Sequence, residues 1–424
     1  MYGFVSMRVG SAPAEGDPMT QSRLYGADFV RATACLLVVA HHLGPRLNGS
    51  VNVGFMEWFR SFGQFGNFGV AMFFALSGFL LSHPFWEALG RGEAMPSLRI
   101  YALRRAARIL PGYWLALWVT FAFTVTVFGV PLDWPLVLRA AAGTLLVSDW
   151  HWLTMFPVEV NGPLWSISFE VTSYLLLPLG FLGLFAVGWK GWRARLLWLG
   201  VIGLAILGHW AMTTFYPVDN ANRGFEYGLV GGAKGWWPRF NPIGFFSMFA
   251  IGALAAGVRV KLARMRSYLF DAVALAAAVA AVFWLLSVQF SMPTPDGWGW
   301  LDIPYGFPWF VLIISLFLAA APQSKIVGPV LDNPAVRYIA RISFGIYIWH
   351  YLVIDLVGQW IAPDLAAGAI STPWRLLLLM TLIVGLCVLI AHYSYRYLES
   401  PVMRWASRLE RRPSVSAEAA SVAN

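Results

Sequence analysis

Asp28–His42, DFVRATACLLVVAHH, is an apolar run with an acid and a base at one end and two adjacent histidines at the other. Arg31 and His42 are eleven residues apart. At about 100° per residue this is roughly three turns plus 20°, so both share one helix face, about 16 Å apart along the axis. An arginine and a titratable histidine on one stripe of a membrane helix are costly in lipid. The stripe therefore points to a protein interior or a wet cavity. The competing reading is an arginine that snorkels to the interface and a histidine pair satisfied by its neighbours.

Around this stretch, the composition is that of a membrane protein. Of 424 residues, 58% are hydrophobic and 12% charged; mean hydropathy is +0.63. Soluble domains carry about twice that charged fraction. Ten apolar segments read as spans, near 25–45, 66–86, 109–130, 164–187, 196–214, 241–257, 268–290, 304–321, 342–361 and 374–395. The short apolar piece 136–148 carries Arg139 and reads as re-entrant, interfacial or packed inside the bundle. The expectation is an all-α, multi-pass helical bundle of about ten transmembrane helices.

The net charge of +9 needs no nucleic acid to explain it. Basic loops around 87–108, 188–195, 259–266 and 325–341, and the segment after 395, fall on the side of the N-terminus. The positive-inside rule then makes both termini cytoplasmic. Residues 1–24 read as a disordered extension, with Met19 an alternative start, 25–401 as the membrane domain and 402–424 as a disordered cytoplasmic tail. The extension lacks a charged region followed by an apolar core, so it is not a cleavable signal peptide. Cys35 and Cys387 lie within spans and read as small apolar residues. Paired tryptophans such as Trp150 and Trp152, Trp236 and Trp237, or Trp298 and Trp300 suit an interfacial belt. Aromatics lining an acceptor cleft are the sharper alternative.

This topology puts Asp28 and Arg31 at the cytoplasmic end of the first helix and His42 in the outer half. The fourth span starts outside near Asn161, so Glu170 lies about 10 Å in from that end, where it could meet His42. A carboxylate beside a histidine raises its basicity and fixes its orientation, which suits a general base. A purely structural histidine–carboxylate bond is the bland alternative. Arg104, Arg105 and Arg108 precede a helix. They either anchor it to anionic headgroups or grip the phosphates of a cytoplasmic ligand. Other buried polar candidates are Ser77, Ser166, Ser168, Tyr174, Ser343, Tyr347 and His350. There is no nucleophile elbow, zinc-protease motif or phosphate loop, and any catalysis is expected to need no metal.

Six strings in order resemble the acyltransferase-3 family: DFVRATACLLVVAHH, GVAMFFALSGFLLS, YALRRAARILPGYW, NGPLWSISFEVTSYLLLP, ISFGIYIWH and YSYRYLESP. They run from about residue 25 to 401. The resemblance implies an integral-membrane enzyme of a bacterial cell membrane, with no permanently bound cofactor. It implies transfer of a small acyl group, most naturally acetyl, from cytoplasmic acyl-CoA to the hydroxyl of a glycosidic acceptor. The family's arginine and histidine fall on Arg31 and His42, with Glu170 and Asp28 as supporting acids. Arg31, Arg104, Arg105 and Arg108 would hold the CoA phosphates; Trp165, Ser166, Tyr174 and His350 are assigned to the substrate. The family often continues into a secreted hydrolase-like domain. Here about 30 residues follow the last span, which leads to the expectation of a one-component mechanism. A transporter of a polar metabolite, using the same intramembrane charges as a relay, is the rival from another class; a structural membrane protein is the third.

Overall fold

The computed structural model describes residues 24–50, 54–219, 233–263, 265–291 and 297–410. The expected N-terminal extension, Leu24 apart, and the tail beyond 410 lie outside the described residues. Among those described there are helices and no strand, only a single bridge between Leu47 and Ile370. The principal helices are α1 (Ala27–Leu43), α2 (Gly54–Gln64), α3 (Phe68–Arg91), α4 (Leu98–Thr126), α5 (Trp134–Thr144), α6 (Trp165–Val187) and α7 (Gly191–Phe215). They continue with α8 (Pro242–Lys261), α9 (Tyr268–Ser291), α10 (Trp309–Ala320), α11 (Pro334–Trp360), α12 (Pro373–Ser394) and α13 (Ser400–Glu410).

Each of the ten expected spans falls on one of these helices. Eight are long and apolar enough to cross a bilayer. Helix α1, with 17 residues, and α10, with 12, are shorter. The fold is an all-α multi-pass membrane bundle. The piece expected at 136–148 is α5, eleven residues long, packed against α4. Tyr113 and Trp114 donate to its last carbonyls, Gly143 at 3.1 Å and Thr144 at 3.0 Å. Its Arg139 is buried and donates to the Phe156 carbonyl and to Glu159, both at 2.7 Å, while its second terminal nitrogen finds no partner among the described residues.

Residues 402–410 are a correction. They were expected within a disordered tail and instead form most of α13, which packs on the basic end of α4. Ala406 is buried, and Glu410 accepts two bonds from Arg104 at 2.9 and 2.8 Å. Val402, Met403, Ala406 and Leu409 recur at helical spacing, a signal short enough to be hidden by the polar residues around it.

Helix α3 is the centre of the bundle, packed on α8 on one side and α1 on the other; α1 is in turn held by α11. Lipid tails are as apolar as leucine, so helices in a bilayer associate by close packing of small residues. A Cβ at Gly78 would lie 1.9 Å from the Phe249 carbonyl oxygen, and one at Gly252 equally close to that of Ala75. Backbone meets backbone at both points, and no side chain can move aside. Gly252→Ala should therefore destabilise the bundle by about 1–3 kcal/mol, seen as a lower melting temperature in detergent; an unchanged melting temperature would contradict this packing.

A second apolar cluster joins α1, α11 and α12 and contains both cysteines, unpaired and buried as expected. His209 ties α7 to Asn241 at 2.7 Å and to the Leu301 carbonyl at 2.9 Å, and His83 accepts from Arg259 at 2.7 Å. Both histidines hold helices together away from the stripe on α1.

Candidate active site

The α1 stripe faces the interior. Two cavities lie along it, about 820 and 840 Å³ when the open space at their mouths is included. The first holds Arg31 from α1, Ser77 from α3, Arg105 and Arg108 from α4, and Glu170 and Tyr174 from α6. The second holds His41 and His42 with an aromatic wall of Trp165, Trp236, Phe240 and Tyr305. Val70 and Tyr347 line both, so the partition between them is one side chain thick. A third, smaller vestibule reaches His42 past Arg46, Tyr351 and Ala366–Gly368. One imidazole thus faces two cavities at one end of the stripe, while the arginines gather at the other.

The partition is built from the NGPLWS turn before α6. Asn161, fully buried, donates to the Ile348 carbonyl at 2.9 Å and fastens the turn to α11. Pro163 then presents its carbonyl to two hydroxyls, Ser166 and Tyr347, each at 3.2 Å. Those hydroxyls lie 2.6 Å apart, so one donates to the other and the second donates to the Pro163 carbonyl. Trp165 and Ser166, adjacent in sequence, face opposite cavities because the first helical turn separates them by about 100°.

Hydrogen-bond logic fixes the His42 ring. Its Nδ1 lies 2.9 Å from the Val38 carbonyl, which can only accept, so Nδ1 carries the proton. The same Nδ1 lies 3.0 Å from Nε2 of His350, which must then offer its lone pair. His350 Nδ1 in turn donates to the Tyr347 carbonyl at 2.6 Å. The one Nδ1 proton of His42 is thus shared between the Val38 carbonyl and His350 Nε2, and His42 Nε2 is left as the ring atom with no hydrogen-bond partner among the described residues. A lone pair there can accept a proton.

Three arginines against the single carboxylate Glu170 give the first cavity an excess of two positive charges. Outside its lining, Arg31 has Asp28 at 3.8 Å and Arg108 has Glu399 at 3.3 Å. Clustered guanidinium groups with fork geometry suit a ligand carrying several phosphates.

Several expectations need correction. Glu170 does not orient His42: it accepts from Ser77 at 2.8 Å and from Tyr174, in the arginine cavity. Glu170 instead shares a cavity with Arg31, about 16 Å by helical rise from His42, and α6 turns it toward α3 and α4. Asp28 pairs with Arg31, about 16 Å by helical rise from His42. Arg104 points away from the cavity, to Glu410. His350 lines none of the described cavities and lies fully buried behind His42, so it supports the ring instead of lining a substrate path. Ser166 and Tyr174 line the arginine cavity, and Trp165 the aromatic one. Of the paired tryptophans, Trp236 lines the cavity, while Trp150 and Trp300 are exposed as a belt would be.

Sequence reading gave no role to Tyr347 or Val70 as the partition, nor to the Arg46–Asp355 ion pair beside the vestibule. The spacing of Tyr347 three residues before His350 was the available signal, since it puts both on one helix face.

The chain is 25% identical over 406 residues to the peptidoglycan O-acetyltransferase OatA of Listeria monocytogenes, covering 89% of this chain and 55% of that one. It is 24% identical over 397 residues to the O-acetyltransferase OatA of Staphylococcus aureus, covering 90% and 57%. The chain thus spans little more than half the length of these curated relatives. No solved structure matches it. The acyltransferase domain family matches residues 24–392, which takes in α1 with its Arg31–His42 stripe, the partition and most of α12. The chain belongs to the acyltransferase-3 family.

Proposed function

We propose that the protein is a membrane O-acetyltransferase that moves an acetyl group from cytoplasmic acetyl-CoA to a hydroxyl of a cell-envelope glycan. The observation that carries this reading is His42 Nε2, an oriented and unpartnered base, at the far end of a stripe that begins in an arginine cavity. The CoA phosphates sit on Arg31, Arg105 and Arg108 at the cytoplasmic end. The roughly 16 Å from Arg31 to His42 is the reach of an extended pantetheine arm, which passes Tyr347 to bring the thioester beside the imidazole. The sugar enters the aromatic cavity from the other side, with an apolar ring face against Trp165 or Trp236.

His42 Nε2 takes the proton of the acceptor hydroxyl as its oxygen forms a bond to the thioester carbonyl carbon. The tetrahedral intermediate expels the CoA sulfur, which takes the proton back from His42. Acceptor hydroxyl and thioester become ester and thiol, with no net proton change. A general base of this kind contributes typically 10²–10⁴-fold.

The test is purified protein in vesicles, with radiolabelled acetyl-CoA on one side and peptidoglycan fragments on the other. Label should appear as base-labile ester on the glycan. Substrate movement across the membrane without acetyl-CoA consumption would replace this reading with the transporter. His350→Ala leaves only the Val38 carbonyl to hold the His42 tautomer, and kcat should fall about ten- to a hundred-fold with little change in KM, a milder form of the loss seen when a catalytic histidine loses its orienting partner. His350→Gln supplies a carbonyl oxygen as acceptor and should recover most of it. Equal activity in both variants would remove His350 from the mechanism.

A further inference from the structure

A third large cavity, about 830 Å³, lies between α4 and α6, outside the path described above. Its walls are apolar: Leu98, Ala106 and Leu110 from α4, Leu146 from the segment after α5, and Leu175 and Pro178 from α6. Helix α4 packs mainly on α5, α11 and α13, which leaves the side toward α6 open as a groove. Leu98 and Leu175, at 39% and 66% exposure, stand at its lipid-facing edge. From Leu98 to Leu110 the groove follows α4 for about 18 Å, close to the half-thickness of a bilayer's hydrocarbon core, about 15 Å.

The groove is not sealed from the arginine cavity. Arg105, Ile109 and Tyr174 line both. Arg105 also differs from its neighbours. Arg31, Arg104 and Arg108 each have a carboxylate partner, whereas Arg105 has no hydrogen-bond or ion-pair partner among the described residues, and its Nε is buried and unsatisfied. A half-buried guanidinium part-way along an alkyl-sized groove fits an amphiphile with one negative group and a hydrocarbon chain.

We propose that the groove seats one acyl chain of an inner-leaflet anionic phospholipid, whose phosphate pairs with Arg105 and competes there with the phosphates of the acyl donor. The bilayer supplies this occupant directly, since the groove opens sideways at that depth. The proposal rests on the reading of the arginine cavity as the donor site. Its consequence is regulatory: anionic lipid weakens donor binding and leaves the chemistry at His42 untouched.

The experiment compares nanodiscs of phosphatidylcholine with nanodiscs containing phosphatidylglycerol. The wild-type KM for acetyl-CoA should rise about three- to tenfold with phosphatidylglycerol while kcat holds. Native mass spectrometry of the delipidated protein, titrated back with each lipid, should show one tightly held phosphatidylglycerol and no equivalent phosphatidylcholine. Ala106→Trp and Leu175→Trp fill the groove from opposite walls without entering the arginine cavity. Either variant should lose both the retained lipid and the KM difference, with donor KM in phosphatidylcholine unchanged. General repulsion of acetyl-CoA by a negative surface would persist in the tryptophan variants; that result, or equal retention of both lipids, overturns the proposal. The mass readout needs no turnover. Retained phosphatidylglycerol without acetyl transfer in any lipid would therefore sink the functional reading and leave the lipid site standing.

Discussion

His42→Ala should lower acetyl transfer about 10²- to 10⁴-fold while donor KM stays within a few-fold. The variant removes the ring nitrogen that stands at the meeting of two cavities and leaves the arginine cavity untouched. His42→Gln keeps the size of the side chain but has no lone-pair nitrogen, so it should be as inactive. His41 lines the same cavity, but its Nδ1 is bonded to the Gly63 carbonyl at 3.1 Å and it lacks the His350 support. It should not replace its neighbour. The measurement is initial rate against acetyl-CoA concentration, with membrane insertion checked by gel filtration. Turnover near wild type in either His42 variant would mean that the proton goes elsewhere and that the two cavities meet at this ring for another reason.

Charge removal in the arginine cavity should act on binding instead. On the proposed donor site, Arg31→Ala and Arg105→Ala should each delete a charge-assisted hydrogen bond to phosphate, worth about 1.5–3 kcal/mol. At about 1.4 kcal/mol per decade, KM for acetyl-CoA should rise roughly ten- to a hundred-fold. Arg104→Ala should move it less than about threefold, because that side chain holds α13 through an exposed pair with Glu410. Arg108 combines two effects. Its partner Glu399 is 1% exposed, so Arg108→Ala leaves a buried carboxylate uncompensated, at about 3 kcal/mol of stability. The double variant Arg108→Ala/Glu399→Gln should regain the melting temperature but not the donor affinity. Equal KM values across Arg31, Arg104 and Arg105 variants would place the donor phosphates outside this cavity.

The bundle itself was legible because a bilayer leaves few choices. Backbone polar groups must be satisfied within each span, so long apolar runs are helices. The stripe on α1 was legible for the same kind of reason: helix periodicity is fixed, and eleven residues return the chain to the same face. The short segments 136–148 and 402–410 were harder. Neither has the length that makes a span recognisable, and each is helical because of what it packs against.

What the chain alone determined is therefore local and periodic: the spans, the shared face of Arg31 and His42, and the grouping of arginines that the structure places in the first turns of α4. Which side chains meet was decided by the tertiary structure. Helical rise alone allowed His42 and Glu170 to meet, yet they line different cavities. Their partners follow from the rotation of α6 and α11 about their axes, set by contacts such as Asn161 on the Ile348 carbonyl and glycine-mediated approach of α3 to α8. Rotation depends on packing between segments hundreds of residues apart, so no single stretch encodes it. The bond from His42 to His350 spans 308 positions, and it exists because α1 and α11 pack side by side.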